Sequence, residues 1–226
     1  MSRAFIVGNG PSLKNTPMDL LVGEACFATN EIRFLYDKTD WRPTHFICAL
    51  EEWDLNVPLL YNWWWHNFVT HMELGIVTYV NRGHNGRVAP LMWRNPDADI
   101  RPIAGCGHFS IHFDDSEAPT EWHDPLLCTY GSTLHVGIQL AIKEGFDELY
   151  LVGCDLGYEN GGSNHFVDDY IGNRGDFLRD AKYANGDCMA AHEVAKRSSP
   201  IPIYNATIGG ELEVYERVDL MEVLNG

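Results

Sequence analysis

The groups able to do chemistry are a few histidines, one well-placed carboxylate, and small polar residues beside apolar runs. His165 lies in Asn-His-Phe-Val-Asp-Asp-Tyr, and His192 follows Cys188 by one helical turn. An imidazole near its ordinary pKa can take a proton from a hydroxyl. Asp155 comes directly after Tyr-Leu-Val-Gly-Cys, and Tyr158 adds a phenol three residues on. A carboxylate there can receive a hydroxyl, bind Mg²⁺, or cap the next turn. Near the N-terminus stands Gly8-Asn9-Gly10-Pro11-Ser12, and later Gly131-Ser132-Thr133. Backbone amides of such loops and helix starts can hold phosphate oxygens. Asn30, with both a donor and an acceptor, can read a base or a sugar.

Several familiar chemistries are excluded by their defining residues. Leu13 stands where a G-x-G-x-x-G motif needs its third glycine, and no Gly-Lys-Ser/Thr follows, so the loop is neither a dinucleotide fingerprint nor a P-loop. No H-E-x-x-H or G-x-S-x-G occurs among the ten histidines and the serines. His45, inside an apolar run, reads as a core residue. The six cysteines, at 26, 48, 106, 128, 154 and 188, form no C-x-x-C pair. They read as buried free thiols of a reducing compartment, and no metal site is expected.

These groups need a scaffold that gathers them. Ala4 to Gly8 is a short buried-strand signal ended at once by turn residues, with Pro11 and Ser12 suited to a helix entry. Strands are expected at Ala25 to Thr29, His45 to Leu50, Gly75 to Val80, Glu148 to Gly153 and Ile201 to Tyr204. Short helical pieces are expected at Pro17 to Val22 and Ile32 to Tyr36. Longer helices are expected from Thr133 to Glu144, stopped by Gly145, and from Cys188 to Arg197, with a terminal helix at Val218 to Leu224. Strand alternating with helix gives a parallel sheet with crossovers, whose carboxyl edge collects the loops named above.

Less regular stretches at about 94–127 and 156–184 read as irregular, lid-like segments, with strand-like Phe109 to Phe113 and an acidic run from Asp114 to Glu121. The Trp63-Trp64-Trp65 triplet, with Trp53 and Trp93 nearby, reads as core filling or as a ring-stacking surface. Arg82, His84 and Arg87 sit in a glycine-containing loop able to contact an anion.

At 226 residues the chain suits one α/β domain, 1–226, with no repeat or linker. The net charge of −16 argues against nucleic-acid backbone and anionic membrane as partners. No apolar run approaches the ~20 residues of a membrane span, and no signal peptide is visible, so a cytoplasmic protein is expected.

Val7-Gly-Asn-Gly-Pro-Ser-Leu-Lys14 resembles the start of the bacterial sialyltransferases of glycosyltransferase family 42. Gly131-Ser132-Thr133 and Tyr150-Leu-Val-Gly-Cys-Asp155 resemble that family's later motifs, in order. Ile203 to Tyr215 looks more like the related DUF115 group, which includes the 6-hydroxymethylpterin diphosphokinase MptE-like proteins. The resemblance implies a Rossmann-like α/β fold, a mostly parallel sheet flanked by helices. It implies a nucleotide held by Asn9, Gly10 and Asn30, and donor sugar or phosphate at Ser132 and Thr133. A tyrosine pair past Asp155 would assist the departing phosphate, and a later histidine would be the general base. Here only Tyr158 matches the pair, and His165 stands near the second tyrosine's place. The base falls near Tyr183, with His192 close by in sequence, and Tyr130 replaces an arginine before Gly-Ser-Thr.

The expected activity is sugar transfer from a nucleotide-activated, CMP-linked donor to a glycan hydroxyl, without a cofactor. Tyr158 and Asp155 would assist, with His165 or His192 as base. One alternative is magnesium-dependent pyrophosphoryl transfer of the pterin kinase kind, with Asp155 and Asp168 or Asp169 as ligands. Another is an idle nucleotide- or glycan-binding protein. Nucleotide sugar and glycan acceptor are the implied partners, with a homo-oligomer left open.

Overall fold

The computed structural model describes residues 1–48, 58–81, 95–103, 132–159, 163–170 and 181–226. Among these residues eight strands form one sheet: β1 (Arg3–Val7), β2 (Cys26–Thr29), β3 (His45–Cys48), β4 (Val77–Asn81), β5 (Ile100–Ile103), β6 (Glu148–Val152), β7 (Ile203–Asn205) and β8 (Glu216–Arg217). Their spatial order is β5-β4-β3-β2-β1-β6-β7-β8, and every pairing is parallel. The helices among the described residues are α1 (Pro58–Glu73), α2 (Thr133–Lys143), α3 (Ala181–Ser198) and α4 (Leu220–Asn225). This is the Rossmann-like α/β arrangement expected from the sequence.

The pattern follows from burial on both faces of the sheet. Parallel strands covered on both sides are near-continuous apolar runs, as in Ala4-Phe-Ile-Val7 and Leu149-Tyr-Leu-Val152. Alternation then assigns the faces. Phe5, Val7 and Phe46 pack with Trp64 and Phe68 of α1 and Leu220 of α4. Ile6, Phe27 and Ile47 pack with Val136 and Ile138 of α2 and Met189 of α3. Gly137 lets α2 sit close to the sheet, since a Cβ there would lie 3.2 Å from the Ile47 Cδ1. Ser132 caps α2 by accepting from Leu134 N, and Gly145 leaves it with φ +87°.

The sequence reading needs several corrections. The stretch expected to be irregular from 94 contains β5, an edge strand. Pro102 hid its signal, and an edge strand tolerates the missing N–H. α3 starts at Ala181, well before Cys188, so the second irregular segment is shorter than expected. β7 is not the last strand, because two-residue β8 follows with both residues exposed. The segments at 11–14, 18–21 and 32–35 are single 3-10 turns. Trp64 is fully buried, in line with core filling. Trp53, Trp93, Arg82, His84, Arg87, Phe109 to Phe113 and the acidic run lie outside the described residues.

Chain order decides where a ligand goes. From β1 the chain moves outward through β2, β3, β4 and β5, then returns to lay β6 on the other side of β1. The loops after β1 and β6 therefore leave the sheet at the point where the winding reverses. In open α/β sheets that switch point is where a crevice opens.

Candidate functional site

The cleft at this switch point has a volume of about 290 Å³. Gly8, Asn9, Gly10, Asn30, Ser132, Asp155, Tyr158, His165 and His192 all line it. Sequence positions from 8 to 192 thus converge on one crevice. Ser12 lies beneath the loop and Thr133 stands beside Ser132, neither in the cleft wall. Gly131 lies outside the described residues.

The glycine loop differs from the expectation. Gly8 N donates to Val152 O at 2.8 Å, and Gly10 N to Gly153 O at 2.9 Å. Ser12 N and Oγ donate to the two Asp155 carboxylate oxygens at 2.9 and 2.7 Å. Three amides expected to hold phosphate are therefore spent on the end of β6 and the loop after it. Asp155 is the anion at the start of the 3-10 turn Pro11–Lys14. A side chain on Gly8 would overlap Gly153 O, and one on Gly10 would overlap Asp155 Oδ2. The glycines serve the close approach of two loops. Burial pushes the Asp155 carboxyl up from its ordinary range, against the pull of the two Ser12 hydrogen bonds.

A third loop supports this joint. Cys154 N donates to Thr207 Oγ1 at 3.0 Å, and Glu211 N to Asp155 O at 2.7 Å. Arg217 in turn donates to the carbonyls of Thr207, Gly209, Gly210 and Leu212, fixing the turn that bears on Asp155.

Asn9 is the exception in the first loop. Its Nδ2 donates to Thr29 O at 3.0 Å and to Thr29 Oγ1 at 3.2 Å, while its Oδ1 is buried with no hydrogen-bond partner. The residue is only 9% exposed and lines the cleft. An acceptor desolvated and left open costs roughly 1–3 kcal/mol. A donor group on a bound ligand would remove that cost.

The opposite wall is aromatic. The His165 ring stacks on Tyr170 at 3.7 Å and 5° between planes, and Tyr158 meets His165 edge-on at 6.4 Å. Phe166 N donates to Asn9 O at 3.1 Å, which ties this segment to the first loop. Asn185 of α3 clamps the Tyr158 backbone, donating to its carbonyl and accepting from its N–H. Burial raises the Tyr170 pKa, against the pull of the Asn30 side chain. Asn30 and Tyr170 both line the cleft. Asn30 (φ +56°) and Leu156 (φ +57°) are the non-glycine residues with positive φ among those described, and both line the cleft. Backbone strain of this kind gathers at ligand sites.

His192 is only 5% exposed. Its Nδ1 lies 3.1 Å from the Tyr215 hydroxyl, and its ring centroid lies 4.5 Å from that of His135. Burial holds His192 well below the usual imidazole pKa, with His135 adding to the effect. The ring is neutral at physiological pH, the state a proton acceptor needs. Cys188, one turn earlier, also lines the cleft.

Tyr170, Leu156 and Cys188 line the cleft and were missed as site residues, as was Tyr215 behind His192. Only Tyr170 carried a signal, an aromatic at the end of a polar stretch. No lysine or arginine lines the cleft among the described residues. Among those residues, no group of three or more His, Cys, Asp or Glu is arranged to hold a metal ion. No described helix is long and apolar enough to cross a membrane.

Fold and cleft together define a doubly wound α/β chain with a crevice at its switch point, an architecture suited to phosphate-bearing ligands. The chain is similar in fold to the MAf glycosyltransferase from Magnetospirillum magneticum AMB-1, with a TM-score of 0.54 and 17% identity. That match covers 96% of this chain and 33% of the other, so the chain spans about a third of that protein's length. No family model matches the chain, and no curated protein sequence matches it.

Proposed function

We propose that the chain is a glycosyltransferase that takes its sugar from a nucleotide-activated, CMP-linked donor and passes it to a glycan hydroxyl. The observation that carries this reading is the open Asn9 Oδ1, a buried acceptor set in the cleft where three segments of chain meet. A nucleotide supplies the matching donors through its ribose hydroxyls or its base. The aromatic wall of Tyr158, His165 and Tyr170 offers faces for a flat ring. The Ser132 hydroxyl lines the cleft and is a neutral donor for a phosphate. Similarity in fold to a glycosyltransferase agrees with this reading.

His192 is the proposed base. It is neutral, held by Tyr215, and part of the cleft wall. His165 is the weaker choice, because its ring lies flat on Tyr170 and serves as part of the platform. Tyr158, which lines the cleft, is the proposed partner of the leaving phosphate. Asp155 has a structural part, since both its oxygens hold Ser12. That geometry also disfavours the magnesium-dependent pyrophosphoryl reading, which needs the same carboxylate on a metal beside Asp168 or Asp169.

Calorimetric titration with CMP, CMP-linked sugars and UDP-linked sugars tests the reading. Binding of the cytidine compounds, with turnover lost in His192→Asn while binding is kept, is the expected result. No heat with any of these ligands removes the reading. Binding with full turnover in His192→Asn moves the base elsewhere.

A further inference from the structure

We infer that Tyr215 is a positioning residue for His192, fixing its ring as the tautomer with the proton on Nδ1 and the lone pair on Nε2. Tyr215 is far from His192 in sequence, yet its hydroxyl lies 3.1 Å from the ring Nδ1 and 3.1 Å from the backbone carbonyl oxygen of the same residue. A phenol has one proton to give. Given to Nδ1, it leaves two oxygens facing one another at 3.1 Å with no hydrogen between them. Given to the carbonyl, it leaves the phenol oxygen free to accept, and Nδ1–H supplies the second hydrogen bond. Only the second arrangement turns both contacts into hydrogen bonds.

The surroundings reinforce that choice. Tyr215 is 3% exposed, so water does not compete for its hydroxyl. The two rings stand at 90° with centroids 5.5 Å apart. A neutral ring with its proton on Nδ1 has one basic nitrogen, Nε2, and His192 is part of the cleft wall. Tyr215 itself does not line the cleft and acts through His192.

The chemical consequence rests on the glycosyl-transfer reading; the tautomer does not. As the acceptor O–H bond breaks, its proton passes to Nε2. The oxygen's electron pair forms the new bond to the anomeric carbon. The bond from that carbon to the phosphate oxygen breaks, and its electron pair leaves on the nucleotide. The resulting imidazolium carries a proton on each nitrogen, and the Tyr215 oxygen continues to accept from Nδ1–H. No hydrogen bond has to be rearranged during the step, so the base is preorganised.

Long-range proton–nitrogen correlation on ¹⁵N-histidine-labelled protein at neutral pH tests this directly, with His192 assigned by its loss in His192→Asn. The expected wild-type spectrum has a pyrrole-type Nδ1 and a pyridine-type Nε2. Tyr215→Phe is expected to move His192 to a mixture of tautomers or to Nε2–H. The protein should stay folded, because only one hydroxyl is removed. With a donor that binds, the same variant should lower kcat roughly tenfold at unchanged KM, part of the roughly 10²–10⁴ that a general base supplies. A wild-type His192 carrying its proton on Nε2 overturns the inference and needs no variant to detect. So does a Tyr215→Phe protein with an unchanged tautomer. If the tautomer is as stated and no nucleotide binds, the glycosyl-transfer reading falls while the part assigned to Tyr215 stands.

Discussion

Two regions border the cleft, and they treat their polar groups in opposite ways. In the loop after β1, the amides of Gly8, Gly10 and Ser12 are consumed by Val152, Gly153 and Asp155. Across from it, Tyr158, His165 and His192 present rings to the crevice, held from behind by Asn185, Tyr170 and Tyr215. The first region is a joint, and the second leaves its rings facing the crevice. A glycine-rich turn after a first strand is thus not always a phosphate cradle. Its glycines can exist so that another loop can lie against it. Asn9 is where the two regions meet, with its amide nitrogen in the joint and its oxygen left open.

The largest way to break this contrast is to fill the joint. Gly10→Ala sets a methyl group against Asp155 Oδ2, with Gly153 O only 2.8 Å away. We expect a loss of about 3 kcal/mol or more, at the upper end for overpacking, read from the urea midpoint. A mild effect would mean that the two loops are not tightly joined. Asp155→Ala comes next, because it leaves Ser12 N–H and Oγ–H without their acceptor. It should cost about 2–3 kcal/mol, with Asp155→Asn retaining part of it. If Asp155→Ala abolishes turnover at full stability, Asp155 belongs to the chemistry and the contrast is drawn in the wrong place.

Acid sharpens the picture of the buried rings. Burial holds His71 down to about 4 and His135 to about 3, with His192 also well below the ordinary 6.5. Between those values and 6.5 the unfolded chain takes up protons that the folded chain refuses. Stability should therefore be full above 6.5 and fall as the pH drops. Each ring contributes a slope of up to ~1.4 kcal/mol per pH unit. Urea melts across the acid range, compared with His135→Phe, should show that variant's slope reduced by about one ring's share. An unchanged slope would mean that His135 is protonated in the fold.

The smallest effect expected is the most specific to function. Asn9→Ala removes the open acceptor and should weaken CMP binding about tenfold, or ~1.4 kcal/mol. Equal affinity in the variant would place the ligand away from Asn9.

Most of the frame was legible in the sequence because buried parallel strands are apolar throughout. β1, β2, β3, β4 and β6 carry that mark, and Ser132 and Gly145 punctuate α2 by local rules. The strands misread are edge strands: β5 carries Arg101 and Pro102, and β8 is the charged pair Glu216-Arg217. Edge strands need little burial, so they leave little pattern. The loops gathered at the cleft were legible through their residue types, but their partners were not. Nothing local tells that Asp155 will reach back to Ser12, 143 residues away, or that Tyr215 will reach His192. Such pairings are products of strand order, which places β6 beside β1 and β7 beside β6.

The central claim is that the open side of this crevice receives a nucleotide. A crystal soaked with CMP tests it most directly. Density is expected in the cleft between the loop after β1 and the Tyr158–Tyr170 wall, with a ligand donor on Asn9 Oδ1. Density at another place on the molecule, or an empty cleft at a concentration well above that of ordinary nucleotide sites, would contradict it.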